Sequence, residues 1–183
     1  MRHLIGSPRY RCIGGSCNTA PIGVLPSTDN MPSAKFIFPP NFDAVTKSET
    51  FTVKLAINHL ETGWFTNPQT NFMSAPQEIN ANGDIMGHSH IVIEQLTGFG
   101  QTTPTDPRTF VFFKALNDPA VDGVLSTDVT GGLSPGYYRI AAFHTGANHQ
   151  PSMSDRSRTT QCLTDCRSRI RSCCPCCPAR SFG

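Results

Sequence analysis

The sequence predicts an all-β fold, a single antiparallel β-sandwich of Greek-key or immunoglobulin-like type. Three observations support it. Several short segments alternate apolar and polar residues with a period of two, as strands with one buried face do. Loops rich in Gly, Pro and Asn separate these segments. The apolar spacing of an amphipathic helix is not evident anywhere in the chain.

Five segments have the composition and spacing of strands. The first, TFTVKLAIN, places four large apolar residues at every second position, and the second, HSHIVIEQL, is rich in β-branched residues typical of a central strand. The predicted strands are 50–58, 88–96, 109–116, 123–129 and 136–145. The segment NDPAVDG, residues 117–123, is compatible with one helical turn.

The chain divides into three regions by composition. Residues 1–33 contain four Pro and four Gly, which predicts an irregular lead-in. Residues 34–151 hold all the strand patterns and predict the β-sandwich domain. Residues 152–183 are rich in Arg, Ser, Cys and Pro, and we expect them to be disordered or to come from an out-of-frame reading.

The charge is divided between these regions. Residues 34–150 carry six Lys or Arg against ten Asp or Glu, whereas the last 33 residues carry six Arg against two Asp. Nucleic-acid binding needs basic residues on a folded surface, because phosphate contacts supply much of the affinity. The acidic domain therefore makes a nucleic-acid partner unlikely, and the Arg-rich tail keeps it only as a weak hypothesis.

All eight cysteines lie outside the predicted sandwich. Six are in the tail, with C-x₃-C and C-x₂-C spacings that could supply zinc ligands. The same six could form disulfides, in any of about 15 pairings. The opening residues lack the apolar run of a secretory signal, and no segment has the roughly 20 apolar residues of a membrane span.

Histidines form the most suggestive chemical group. His88 and His90 are two apart on a predicted strand, so both point to the same face, about 6 to 7 Å apart. Imidazoles placed in this way can share copper or zinc. Further candidate ligands for the same ion are His144, His149, Asp84 and Glu94. The alternative is structural, since both strand histidines could instead bond loop carbonyls.

The sequence favours a non-enzymatic protein. It contains no Gly-x-Ser-x-Gly motif, and Ser89 lies on the strand face opposite to its neighbouring histidines. The acidic residues show no spacing that would pair them for glycoside chemistry. Four aromatic residues in predicted loops could line a binding patch or cover the ends of the sandwich; these are Trp64, Phe65, Phe72 and Phe99.

Four long strings of the chain carry a family resemblance: APIGVLPSTDNMPSAKFIFPPNF, GHSHIVIEQL, QTTPTDPRTFVFFKALNDPAVDGVL and GYYRIAAFHTGANHQP, within residues 17–151. In these strings the chain resembles a family of secreted basidiomycete fungal proteins of unassigned function. Some relatives carry a ribosomal-protein label, which the acidic domain does not support. The resemblance implies an extracellular β-rich domain, and the tail departs from the family pattern after NHQP.

Together these observations lead to three functional hypotheses. The first is a non-enzymatic, extracellular binding or structural protein that contacts carbohydrate or a cell-surface protein. The second is copper or zinc binding through His88, His90, His144 and His149. The third and weakest is nucleic-acid binding by the Arg-rich tail.

Overall fold

The computed structural model describes residues 18–154 together with the backbone of residues 166–171. The predictions made for residues 1–17, and those of zinc ligation or disulfide bonding by the tail cysteines, fall outside what the structure describes. The strands are β1 Ser33–Phe38, β2 Ala44–Thr46, β3 Phe51–Asn58, β4 Leu60–Glu61, β5 Ile85–Leu96, β6 Phe112–Leu116, β7 Val124–Val129, β8 Gly136–Gly146 and β9 Cys166–Arg171. One helix, α1 Pro68–Asn71, and a 3₁₀ turn, Thr28–Asn30, complete the elements.

The fold is an all-β sandwich, as the sequence predicts. One sheet has the order β1-β3-β7 and is antiparallel throughout. The other has the order β2-β9-β8-β5-β4, with β6 also paired to β5. All five predicted strands are present, with bounds shifted by up to three residues.

The core lies between the two sheets, where apolar side chains of both meet. The three-stranded sheet contributes Val53 and Leu55, and the larger sheet contributes Ile91, Ile93 and Ile140, each at most 1% exposed. Burial of a side chain of this size stabilises the folded state by about 1.5–3 kcal/mol. The alternating apolar residues that predict the strands are therefore the same residues whose burial stabilises the sandwich.

The antiparallel pair β5–β8 forms the centre of the larger sheet. Its register pairs Ile91 with Ala142 and Ile93 with Ile140, and all four side chains face the core. Successive residues of a strand point to opposite faces, so the residues between them lie on the outer face of the sheet. His90, which is paired with Phe143, is one of these.

Four of the described strands were not predicted, and three of them, β1, β2 and β4, come from residues 33–61. In β1 the burial alternates over the first five residues and only Phe36 is fully buried, but the strand ends on three consecutive apolar residues, Phe36 to Phe38, which hides the period of two. The others, β2 and β4, have three and two residues, too few to show a period of two. The predicted helical turn at 117–123 is wrong. Here Asp122 and Gly123 both have positive φ and turn the chain tightly into β7.

The tail contains a strand where the sequence predicted disorder. Cys166–Arg171 lies between β8, to which it is antiparallel, and β2, to which it is parallel. A second parallel pair joins β4 to β5. The predicted antiparallel sandwich thus includes two short parallel contacts. The sequence CRSRIR does alternate Arg with smaller or apolar residues, which is a period of two.

Gln77 forms hydrogen bonds with residues near both ends of the described domain. Its backbone N–H donates to Ile22, and its carbonyl accepts from Val24. Its side chain donates to the carbonyl oxygens of Val24 and Met153, while its Oε1 accepts from the Met153 N–H. The folded part therefore extends beyond the predicted bounds on both sides. In the described part of the chain, no helix is long and apolar enough to cross a membrane.

Candidate metal centre

Three of the four predicted histidines come together on the outer face of the larger sheet. His88 and His90 lie on β5, two residues apart and on the same side, as predicted. His149 lies in the loop that follows β8. Each offers one ring nitrogen, and these three nitrogens lie within 4.8 Å of one another. The ring centroid of His88 is 4.8 Å from that of His90 and 4.7 Å from that of His149.

Two of the rings are oriented by backbone carbonyl groups. Nδ1 of His88 lies 3.0 Å from the carbonyl oxygen of Trp64, and Nε2 of His149 lies 2.8 Å from that of Thr66. A carbonyl only accepts, so these nitrogens must carry the protons. In the neutral rings the other two nitrogens are then lone pairs, and they face each other at 3.1 Å.

Two lone pairs at this distance repel each other unless a positive charge lies between them. A shared proton or a metal ion would supply that charge. Metal-binding histidines usually donate their second ring N–H to a carbonyl or carboxylate, as both histidines do here. A neighbouring hydroxyl, Thr145 Oγ1, lies 3.2 Å from His88 Nε2 and can donate to the same lone pair.

His90 is the third member of the cluster. Its ring stacks on Phe143, with centroids 4.6 Å apart and an interplanar angle of 10°. Its Nδ1 is buried and has no hydrogen-bond partner among the described residues. A buried polar atom in this state costs about 1–3 kcal/mol, so it is a site where a ligand would be stabilising.

Burial keeps His88 and His90 neutral. It lowers the pKa of His88 to about 4, with repulsion from His149 adding to the effect and the Trp64 carbonyl opposing it. Burial also lowers the pKa of His90 to about 3, and the charges of His88, His149 and His144 lower it further. Neutral imidazole is the form that binds metal, so near pH 7 protons compete little at these two residues.

The structure does not bring His144 into the cluster, which corrects the prediction that it joins the other three. In the β5–β8 register His144 is opposite Ser89, one position away from the His90–Phe143 pair. It therefore lies on the inner face of the sheet, where its Nδ1 is 3.0 Å from Ser89 Oγ. Burial lowers its pKa to about 4.

The proposed oxygen ligands are also elsewhere. Asp84 accepts a hydrogen bond from Asn30 and pairs with His59 at 2.9 Å. Burial acts to raise the pKa of Asp84, but those two partners outweigh it, and the pKa is lowered. Glu94 is bound to Arg139 and accepts from Thr105. Neither carboxylate belongs to the histidine cluster.

Two loops position His149 above the sheet. The Thr66 N–H donates to Ala147, and the Met73 N–H donates to Asn148. His149 itself has a φ of 69°, a conformation that costs energy for a residue with a Cβ. These contacts join residues about 80 apart in sequence, so no local pattern could have predicted them. A strained histidine held by loops is typical of a functional position.

The loop aromatics divide between two places. Phe65 packs edge-on against His88, with centroids 6.3 Å apart, and Phe72 stacks on His149 at 5.5 Å. Trp64 donates its indole N–H to Glu61. Phe99 lies elsewhere, against Phe42 and Tyr137. The sequence identified these rings as candidates but could not show that two of them border the histidines.

Fold and site together define a β-sandwich domain with three clustered histidines on the outer face of its larger sheet. Residues 34–166 match the CLU5d N-terminal domain family, and the chain belongs to that family. It is also similar to "Pathogenicity cluster 5 protein d" of Colletotrichum graminicola, with 40% identity over 140 residues. That match covers 75% of this chain and 29% of the relative. The fungal family predicted from the sequence is thus confirmed, whereas its basidiomycete and secreted character stay predictions.

Proposed function

We propose that this domain is a non-enzymatic fungal protein that binds a divalent transition metal through His88, His90 and His149. The observation that carries the proposal is the pair of facing lone pairs, His88 Nε2 and His149 Nδ1, whose rings each donate their remaining proton to a backbone carbonyl. An ion would replace repulsion by two coordinate bonds.

Copper suits the ligand set better than zinc. Tetrahedral zinc with Zn–N bonds of 2.0–2.1 Å places its nitrogens about 3.3 Å apart, close to the His88–His149 distance of 3.1 Å. The nitrogens of all three residues, however, spread over as much as 4.8 Å. This spread exceeds even the roughly 4 Å between opposite ligands of tetragonal copper, so a ring must move towards either ion, and it moves less for copper. Nitrogen sites also bind Cu²⁺ most tightly among the first-row divalent ions.

The decisive variant is His149→Gly. Glycine adopts positive φ without strain, so the substitution removes the imidazole but should leave the loop folded. His59→Gly is the matched control, because His59 also has positive φ and is a partner of Asp84 outside the cluster. Thiols are first alkylated, since the chain has eight cysteines that could bind the ion instead.

Copper and zinc are titrated into the full chain, with bound metal counted after dialysis and quenching of Trp64, the single tryptophan, followed in parallel. We expect one ion per chain, and at least about a 100-fold weaker affinity in His149→Gly. Wild-type binding weaker than micromolar, or equal binding in His149→Gly, would overturn the proposal. His59→Gly should bind as the wild type does.

We keep as a proposal that the domain acts outside the cell, in contact with carbohydrate or a cell-surface protein. What supports it is the resemblance of long strings of the chain to secreted fungal proteins. Fractionation of the natural source tests it, since protein found only inside cells would exclude an extracellular role.

A further inference from the structure

The proposed metal centre has fewer protein ligands among the described residues than copper or zinc usually takes. Within residues 18–154 the cluster comprises three histidines, and no carboxylate or thiolate joins them. Copper and zinc sites with three protein ligands usually keep a further position for water or another molecule. The surroundings of the cluster indicate what that molecule would be, and this inference rests on the proposed function.

Every histidine of the cluster touches at least one phenyl ring. The contacts are His88 with Phe65, His149 with Phe72, and His90 with both Phe113 and Phe143. Three of these rings are substantially exposed: Phe65 by 50%, Phe72 by 37% and Phe113 by 47%. Exposed apolar rings that border a polar centre are typical of ligand sites.

The two carboxylates considered as ligands lie outside the cluster. Glu94 is held by Arg139, and Asp84 is held by His59 and Asn30. The border of the centre is therefore aromatic, and recognition of an external molecule would depend on ring stacking as well as on the ion. Aromatic pairs of this kind contribute beyond their buried area.

We propose that the metal centre binds a small planar organic molecule that gives one nitrogen or oxygen donor to the ion and stacks an aromatic body on Phe65 or Phe72. Azoles and phenols have this chemistry. A molecule of the same donor strength without an aromatic body would bind less tightly, because it would leave both rings exposed.

The test compares imidazole with 4-phenylimidazole, which share the donor nitrogen and differ by one ring. Each is titrated into the copper-loaded, thiol-alkylated full chain, and the visible absorption of the ion reports binding. The ratio of the two affinities is compared with the same ratio for a small three-imidazole copper complex. We expect the protein to favour 4-phenylimidazole by about a further three- to tenfold.

Phe65→Ala and Phe72→Ala should each reduce that preference, while copper affinity stays within a few-fold. Phe42→Ala is the control, since Phe42 is 64% exposed and contacts Phe99 instead. Copper binding with an unchanged ratio in all variants would overturn this inference and leave the proposed function standing. Copper-induced dimers that exclude both azoles would also overturn it, because a second copy would then supply the ligand. Failure of the chain to bind either copper or zinc would overturn both.

Discussion

Both faces of the β5–β8 pair carry buried histidines, but only those on the outer face form a candidate metal site. On the outer face, His88 and His90 meet His149 beneath two loops and beside exposed aromatic rings. On the inner face, His144 bonds Ser89 inside the sandwich and is 1% exposed. All three strand histidines have strongly lowered pKa values from burial. Burial alone therefore does not mark a functional histidine; the face and its neighbours do.

The largest effect that we expect from these buried histidines is a loss of stability of the folded state in acid. Folding lowers the pKa of His88 and His144 from 6.5 to about 4, and that of His90 to about 3. The unfolded chain then binds more protons below pH 6.5, so stability is present above that pH and is lost as pH falls towards 3–4. Each buried histidine contributes up to about 3 kcal/mol to this loss. Urea unfolding, followed by Trp64 fluorescence between pH 7 and 4, measures this loss of stability. A free energy of unfolding that does not change with pH would contradict the prediction.

The second prediction separates stability from metal binding on the inner face. His144→Ala removes a buried ring and leaves the Ser89 hydroxyl with only its longer contact to the Phe143 carbonyl. We expect the free energy of unfolding to fall by about 3 kcal/mol, while the number of metal ions bound stays the same. Urea unfolding tests the loss of stability, and metal counting on the same preparation tests the unchanged number of bound ions. Loss of metal from a folded His144→Ala protein would place His144 in the centre after all.

The third prediction is that an ion bound on the outer face stabilises the folded chain. At a free copper concentration of 100 times the dissociation constant, the free energy of unfolding should rise by about 2.7 kcal/mol. The gain is expected in the wild type and in His144→Ala, and it should fall to at most about 0.4 kcal/mol in His149→Gly. Thermal unfolding with and without copper on alkylated protein provides the measurement. An equal gain in all three proteins would show that the ion binds elsewhere.

The smallest effects come from two hydroxyls, one on each face. Ser89→Ala should cost about 1 kcal/mol of stability and leave metal affinity unchanged, because Ser89 contacts only the inner His144 among the histidines. Thr145→Val should instead raise metal affinity about two- to threefold, since the hydroxyl near His88 Nε2 competes for that lone pair. If the two substitutions exchanged their effects, our assignment of the faces would be reversed.

Part of the site could be predicted because it is local. His88 and His90 share a face because two residues complete one period of a strand, and this requires no knowledge of the rest of the fold. The choice between His144 and His149 as a third member could not be made in this way. It depends on whether His144 is opposite Ser89 or His90 in the β5–β8 register.

The sequence by itself determined the central strands, because each buries one face of alternating apolar residues, and it determined the shared face of His88 and His90. Only the tertiary structure decided that His149 joins them, that His144 lies inside, and that β9 lies between β2 and β8. Side-chain alternation is a property of one strand. Pairing registers and loop contacts depend instead on residues far apart in sequence, which meet only when the two sheets pack together.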